Sequence, residues 1–182
     1  MSHINIEIKA KCSDHQKIKD FLMSHGADFT GTDHQIDTYF KVANGRLKLR
    51  EGNIENYLIF YEREDKAGPK QSNVILHKVE PGSNIKDLLT KSLGVLVVVD
   101  KMREIYFIDN VKFHLDNVQG LGTFVEIEAI DKDGNIGADK LLEQCNKYLE
   151  LFNISQNNLL TNSYSDQIIG QSLLDSTEMT RG

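Results

Sequence analysis

Charged side chains in this sequence recur at a spacing of two, with apolar residues between them. Glu7 and Lys9 alternate with Ile6, Ile8 and Ala10, and Arg46, Lys48 and Arg50 alternate with Leu47 and Leu49. Lys101 pairs with Arg103, Lys112, His114 and Asp116 alternate with Val111, Phe113 and Leu115, and Glu126 and Glu128 alternate with Val125, Ile127 and Ala129. A period of two places each set on one face of an extended strand. On a single strand the simplest reading is a solvated face over an apolar core. Repetition on five strands, in a chain that also offers amphipathic helices to cover an apolar face, turns the charged faces toward one another. Charges cannot sit in a dry core, so they are expected to line a hydrated tunnel that holds a charged ligand.

The sign of that lining selects the ligand. Against the acids Glu7, Asp116, Glu126 and Glu128 stand the bases Lys9, Lys11, Arg46, Lys48, Arg50, Arg63, Lys101, Arg103 and Lys112. A net positive interior fits a polyanion, because Arg and Lys at several heights grip successive phosphates, Arg in a bidentate manner. The acids provide hard oxygen ligands for Mg²⁺ or Mn²⁺. Bases alone would serve anion storage; acids beside them point to metal-assisted phosphoryl chemistry. The bases, with His114 on the same parity as a further donor, are assigned to the phosphates, with Lys9, Lys48 and Arg50 catalytic; Glu7, Glu126, Glu128 and Asp116 are assigned to metal. His3, His15, His25, His34 and His77 show no metal-ligand spacing and receive no role.

The elements that must position these residues are legible from punctuation. Ser13 with Gln16 reads as a capping box opening a helix with Ile18, Phe21, Leu22 and His25 on one face and Gly26 at its end. A strand from Gln35 to Ala43, the Asn44-Gly45 hairpin signal, RLKLRE, the turn GNIEN and YLIFYER form a meander. A Gly-Pro loop leads to NVILHKV, and a second helix opens at Ser83 with Ile85, Leu88, Leu89 and Leu93 on one face. Three more strands follow, so the order strand, helix, three strands occurs twice, a weak internal duplication. A third helix spans roughly Gly137 to Leu151, with Leu141, Leu142, Cys145, Tyr148 and Leu149 apolar. The expected fold is α+β: an antiparallel eight-stranded β-barrel with short helices outside. One domain is expected over 1–170, with 171–182 a loose tail.

Composition narrows the class. The chain has 182 residues and a net charge of −6, which argues against a general nucleic-acid binder. Cys12 and Cys145 are its only cysteines and, far apart, read as apolar fillers in a reducing compartment. The start lacks a leader pattern and LGVLVVV is too short to span a bilayer, so a cytoplasmic protein without membrane or nucleic-acid partners is expected. Ile168, Ile169 and Leu173 offer apolar surface for a homodimer.

At this level of detail the sequence resembles the CYTH superfamily, the triphosphate tunnel metalloenzymes, over nearly its whole length. The family's N-terminal Glu-any-Glu-any-Lys strand is matched by NIEIK at Glu7 and Lys9, with Asn5 in place of the first glutamate. An amide still offers an oxygen but binds a cation less tightly. GRLKLRE, YERED with GPKQS, DKMRE and above all HLDNVQGLGTFVEIE extend the match, and with SYSD it is most similar to the class IV adenylyl cyclase branch. The resemblance implies an eight-stranded tunnel, a divalent metal and a triphosphate substrate, with Tyr164 and Asp166 in a segment closing one mouth. Lys70 and Ser72 read either as tunnel rim or as loop. The expected reaction is conversion of ATP to cyclic AMP and pyrophosphate. The alternatives are a triphosphatase acting on thiamine triphosphate or inorganic tripolyphosphate, and a module that binds polyphosphate without turnover; hydrolysis of RNA 5′-triphosphate ends ranks last because the chain is acidic.

Overall fold

The computed structural model describes residues 2–63 and 68–179. Its elements run β1 (Ser2–Lys11), α1 (His15–Ser24), β2 (Asp28–Phe40), β3 (Arg46–Glu51), β4 (Tyr57–Arg63), β5 (Lys70–Lys78), α2 (Ile85–Leu93), β6 (Val95–Ile108), β7 (Val111–Val118), β8 (Gly122–Asp131), α3 (Ala138–Leu151), a 3₁₀ turn (Gln156–Asn158) and α4 (Tyr164–Met179). The doubled strand, helix, three-strand order is present. The strands close into a barrel in the order β1-β5-β4-β3-β2-β6-β7-β8, and every ladder is antiparallel. Exchanging β1–β4 with β5–β8 leaves this ring of neighbours unchanged, so the duplication extends to strand pairing. Closure removes the exposed sheet edges that an open sheet would have to protect.

The alternating residues sort as their periodicity demands. Outward-facing Ile6, Ile8, Ala10, Phe113, Leu115, Val125 and Ile127 pack against Ile18 and Leu22 of α1 and Leu141, Cys145 and Tyr148 of α3 in the largest apolar cluster. Cys145, fully buried there, donates its thiol to the Ile6 carbonyl at 3.1 Å. A smaller outer cluster joins Phe40 and Leu49 to Leu89 of α2. The helices cover only part of the barrel, however: on β6 the outward Leu96, Val98 and Met102 are exposed.

Several local expectations shift. Asp14, rather than Ser13, caps α1, its carboxylate accepting from the Lys17 amide at 3.1 Å; Gln16 then falls inside the helix and bonds Asp20 instead. Asn84 precedes α2 without a side-chain cap, and Leu88 is exposed. Asn44-Gly45 belongs to a five-residue connection between Phe40 and Arg46, with a positive φ of 62° at Gly45 alone of the two. The two-residue turn occurs at Asp109-Asn110, where Asp109 has φ 51°.

The C-terminal part is helical where no periodicity announced a helix. The segment before it is stitched to the barrel: Ala10 bridges Leu159, the Leu160 amide donates to the Lys9 carbonyl at 2.9 Å, and the Lys70 ammonium donates to the Thr161 carbonyl at 2.6 Å. From there Leu160, Tyr164 and Ile168 join Val97, Val99, Val118 and Phe124 in an apolar cluster inside the barrel. Ile168 is thereby taken from the surface proposed for a partner, while Leu173 stays exposed. Among the described residues no helix is long and apolar enough to cross a membrane.

Candidate active site

With one end of the interior filled by apolar side chains, the remainder is a cavity of about 130 Å³, many times the roughly 10–15 Å³ that one buried water occupies. A hydrated interior is what the alternating charges require. Strand register arranges them in rows. Lys9 of β1 pairs across with Glu126 of β8, which pairs with His114 of β7; one step along, Glu7 pairs with Glu128, which pairs with Lys112.

Two networks result. In the first, the Asp37 carboxylate accepts from Lys48 at 2.9 Å, from Arg50 at 2.8 and 2.9 Å and from Lys101 at 2.8 Å. Burial alone would raise the Asp37 pKa, but Arg50, Lys101 and Lys48 override it and hold the carboxyl well below its usual range. Lys101 is pushed down by burial and by Arg50, Arg103 and Lys48, with Asp37 opposing. Glu55, from the β3–β4 loop, extends this network to Arg50 at 2.9 Å and to Lys112. The loop is aimed by Asp33, which accepts the amides of Ile54 and Glu55 at 2.9 and 3.0 Å.

In the second network Arg103 forks onto Asp116 with two bonds of 2.6 Å and reaches Glu126 at 2.9 Å. Lys9 lies 3.5 Å from Glu126. Tyr164 donates its hydroxyl to Asp116 at 2.8 Å, and the Lys9 ammonium sits 4.1 Å from its ring centroid. Arg103 outweighs the burial that would otherwise raise Asp116, taking it down to about 2. His114 is lowered to about 3 by burial, Arg103 and Lys112. A neutral ring whose Nδ1 faces the Glu126 carboxylate at 3.3 Å donates from Nδ1. Nε2, buried without a hydrogen-bond partner, is then an acceptor. Parity alone had suggested a phosphate donor; in this arrangement the Nδ1 side of the ring is engaged by Glu126.

The remaining acids behave differently. Glu7 and Glu128 are direct cross-strand partners of like charge, an unfavourable pairing unless something is shared between them. Glu128 is raised by burial and by the neighbouring Glu126 and Glu7, with Lys112 opposing. Asn5 donates its amide to Glu128, and its Oδ1 is buried without a hydrogen-bond partner. Crowded carboxylates beside an orphaned amide oxygen form a hard-oxygen set that fits Mg²⁺ or Mn²⁺. Among the described residues no three acidic, His or Cys side chains form a ready-made metal cage.

The structure brings together Glu7, Lys9, Lys48, Arg50, Lys101, Arg103, Lys112, His114, Glu126 and Glu128 around the cavity. Lys11 is exposed and outside its lining. Arg46, also outside, bonds Asp166 at 3.0 Å where the C-terminal segment docks. Asp116, expected as a metal ligand, is fully buried behind the lining and committed to Arg103 and Tyr164. Of the rim candidates Ser72 lines the cavity and Lys70 does not; the Arg63 side chain lies outside the described residues. Sequence reading missed Asp37 and Glu55, and they change the balance. Among the described lining residues six Lys and Arg face five carboxylates, so the lining is nearly neutral instead of strongly positive. The alternation of Asp37 and Tyr39 within QIDTYF was the available signal; Glu55, on a loop, had none.

The comparisons agree with this geometry. Residues 3–164 match the family model described as the CYTH domain. A Methanocaldococcus jannaschii protein named "Putative adenylate cyclase" is 30% identical over 172 residues, covering 88% of this chain and 96% of that one. A conserved hypothetical protein from Pyrococcus furiosus superposes with a TM-score of 0.74 at 19% identity, over 89% of this chain and 98% of its own. A Hippeastrum protein, described as an adenylyl cyclase candidate with a dominant triphosphatase activity, superposes with a TM-score of 0.56 at 16% identity, over 93% and 95%. With a whole-domain match, a relative at this identity and the closed eight-stranded barrel, the chain belongs to the CYTH family.

Proposed function

We propose that this protein is a divalent-metal-dependent, cytoplasmic enzyme that converts ATP to cyclic AMP and pyrophosphate in the manner of class IV adenylyl cyclases. The observation that carries the reading is the cavity itself, in which fixed Lys and Arg side chains face a crowded carboxylate pair inside a closed barrel. In this reading Lys9, Lys48 and Arg50 act at the reacting phosphorus, and Lys101, Arg103 and Lys112 hold the other phosphate oxygens. Asp37 and Glu55 fix Lys48, Arg50, Lys101 and Lys112 in place beforehand, so little reorganisation accompanies charge development. Asp116 acts through Arg103 as a positioning residue. Glu7, Glu126 and Glu128, with the Asn5 oxygen, hold Mg²⁺ or Mn²⁺, which when bound polarises phosphate oxygens. The ribose 3′-oxygen bonds to the α-phosphorus, its proton passing to water in the hydrated cavity, and the bond from the α-phosphorus to the bridging oxygen breaks to release pyrophosphate.

A second reading is triphosphate hydrolysis, which uses the same cradle with water attacking the γ-phosphorus. It is supported by the triphosphatase activity attributed to the Hippeastrum protein of the same fold. One incubation separates the two: purified protein with ATP, thiamine triphosphate or tripolyphosphate, with Mg²⁺ or Mn²⁺, and cyclic AMP, pyrophosphate and orthophosphate resolved together. Cyclic AMP with pyrophosphate is the expected result. Orthophosphate without a cyclic product replaces the cyclase reading with hydrolysis, and intact substrates throughout leave a binding module.

A further inference from the structure

Among the described residues that line the cavity, three buried polar atoms have no hydrogen-bond partner: Asn5 Oδ1, Ser72 Oγ and His114 Nε2. The first two belong together. Asn5 of β1 and Ser72 of β5 are direct cross-strand partners, and each is only 2% exposed. Chemistry sets the orientation of the Asn5 amide: its Nδ2 donates to Glu128, and an ionised carboxylate can only accept, so the oxygen is the end left over. Glu128 in turn pairs with Glu7, which follows Asn5 on the same face of β1. Glu126, by contrast, already holds Arg103 at 2.9 Å and His114 at 3.3 Å. The unbonded oxygens of this wall therefore gather on its β1–β5 side.

A buried hydroxyl or amide oxygen is costly until something satisfies it. Here both offer lone pairs beside two carboxylates of like charge, and what the four groups share is affinity for positive charge. A water molecule brings two protons; a hard divalent cation serves the whole set. In the eight-strand ring β1 and β5 stand across from β2 and β6, so these oxygens face the Asp37 and Lys101 network from the opposite wall. Building on the metal reading above, we propose that the Ser72 hydroxyl is a ligand of the divalent ion. Asn5 and Ser72 then supply two neutral oxygens, of the kinds that Asn carbonyls and Ser hydroxyls contribute to Ca²⁺ and Mg²⁺ sites, and Glu7 and Glu128 supply the charge. The serine adds a coordinating atom where Asn5 takes away a family carboxylate.

Mn²⁺ binding in the absence of any phosphate tests this, because a hydroxyl that serves only the substrate does not affect it. Free Mn²⁺ is read by electron paramagnetic resonance in the parent chain and in Ser72→Ala, which should bind the ion about tenfold or more weaker. The metal-free Tm of Ser72→Ala should stay level or rise, since the change removes a buried hydroxyl that has no partner. Ser72→Cys places a soft sulfur at the same point. It should bind Cd²⁺ about tenfold or more tighter than the parent, with an ultraviolet sulfur-to-metal charge-transfer band that the parent lacks; Cys12 and Cys145 are common to both and cancel in the difference spectrum. Mn²⁺ affinity of Ser72→Ala within about twofold of the parent, or no such band in Ser72→Cys, overturns the assignment and leaves Glu7 and Glu128 standing as ligands. A fall in the metal-free Tm of Ser72→Ala overturns it too, giving the hydroxyl a structural role. A parent chain that binds no Mn²⁺ overturns the metal reading and the assignment with it.

Discussion

Replacing Asp37 by Asn should destabilise the ligand-free protein and make it more responsive to polyanions. The carboxylate is 1% exposed and accepts four hydrogen bonds from three cations. An amide fills the same space but carries no charge, leaving Lys48, Arg50 and Lys101 to repel one another in a buried cavity. Removing one side of a buried ion pair costs ~3–5 kcal/mol. For a chain of this length each kcal/mol moves Tm by roughly 2–4 °C, so a fall on the order of 6–20 °C is expected. Tripolyphosphate returns the missing negative charge, and ligand that binds only the folded state raises Tm by mass action. Its stabilising increment should therefore be larger in Asp37→Asn than in the parent chain. Thermal melts with and without tripolyphosphate and Mg²⁺ read both effects. An unchanged ligand-free Tm would refute the structural role of the pair, and a smaller polyanion increment would refute the idea that Asp37 occupies phosphate-binding capacity.

Other outcomes follow from the same geometry. Acid should unfold the protein in a defined window: Asp116 is depressed to about 2 in the fold against roughly 3.9 unfolded, so its contribution is complete above pH ~4 and is lost as pH falls toward 2. Asp37, Glu55 and Glu126 are shifted the same way, and a circular-dichroism titration showing no loss of stability between about pH 4 and 2, where carboxylates protonate, would contradict them. Tyr164→Phe deletes one hydrogen bond to the buried Asp116 and should cost ~1–3 kcal/mol in denaturant melts. Glu128→Gln relieves repulsion with Glu7 and Glu126 yet should weaken Mn²⁺ binding by about 10–100-fold, measured as free Mn²⁺ by electron paramagnetic resonance. Asn5→Glu should act in reverse, tightening Mn²⁺ binding while lowering the ligand-free Tm, because it adds a carboxylate beside Glu128.

Strand parity was the part of this protein that sequence alone exposed. Because side chains alternate with period two, the charges of Glu7, Lys48 or Glu126 revealed an inner face as soon as the apolar residues between them had helices to pack against. The same rule is silent where both faces are apolar. Tyr57, Ile59 and Tyr61 of β4 point inward and Leu58 and Phe60 outward, and nothing in YLIFYER distinguishes them. Glu55 was illegible for a different reason: its direction depends on Asp33, 22 residues earlier in the chain. His114 shows that parity places a side chain without fixing its chemistry, since its hydrogen-bonding role is set by Glu126 on the adjacent strand. The helix that begins at Tyr164 escaped because the contacts that orient its first turns, to Val97, Phe124 and Asp116, are all distant in sequence.

The pairing of β1 has a consequence for how the barrel is made. This strand is the first of the eight to be synthesised, yet its two neighbours are β5 and β8, and its residues Lys9 and Ala10 also receive the segment around Leu159 and Leu160. It has no partner until β5 has been made, and the ring cannot shut until β8 has followed. Contacts this distant in sequence slow folding, because chain entropy is lost before the pairing rewards it. During that interval Ile4, Ile6 and Ile8 form an apolar stripe on an unpaired strand, the kind of segment that seeks other chains. The charges at Glu7 and Lys9, which later face the cavity, and at Lys11, which stays exposed, alternate with that stripe and oppose such encounters while the strand waits. The charges that line the finished cavity on this strand thus also shield the nascent chain.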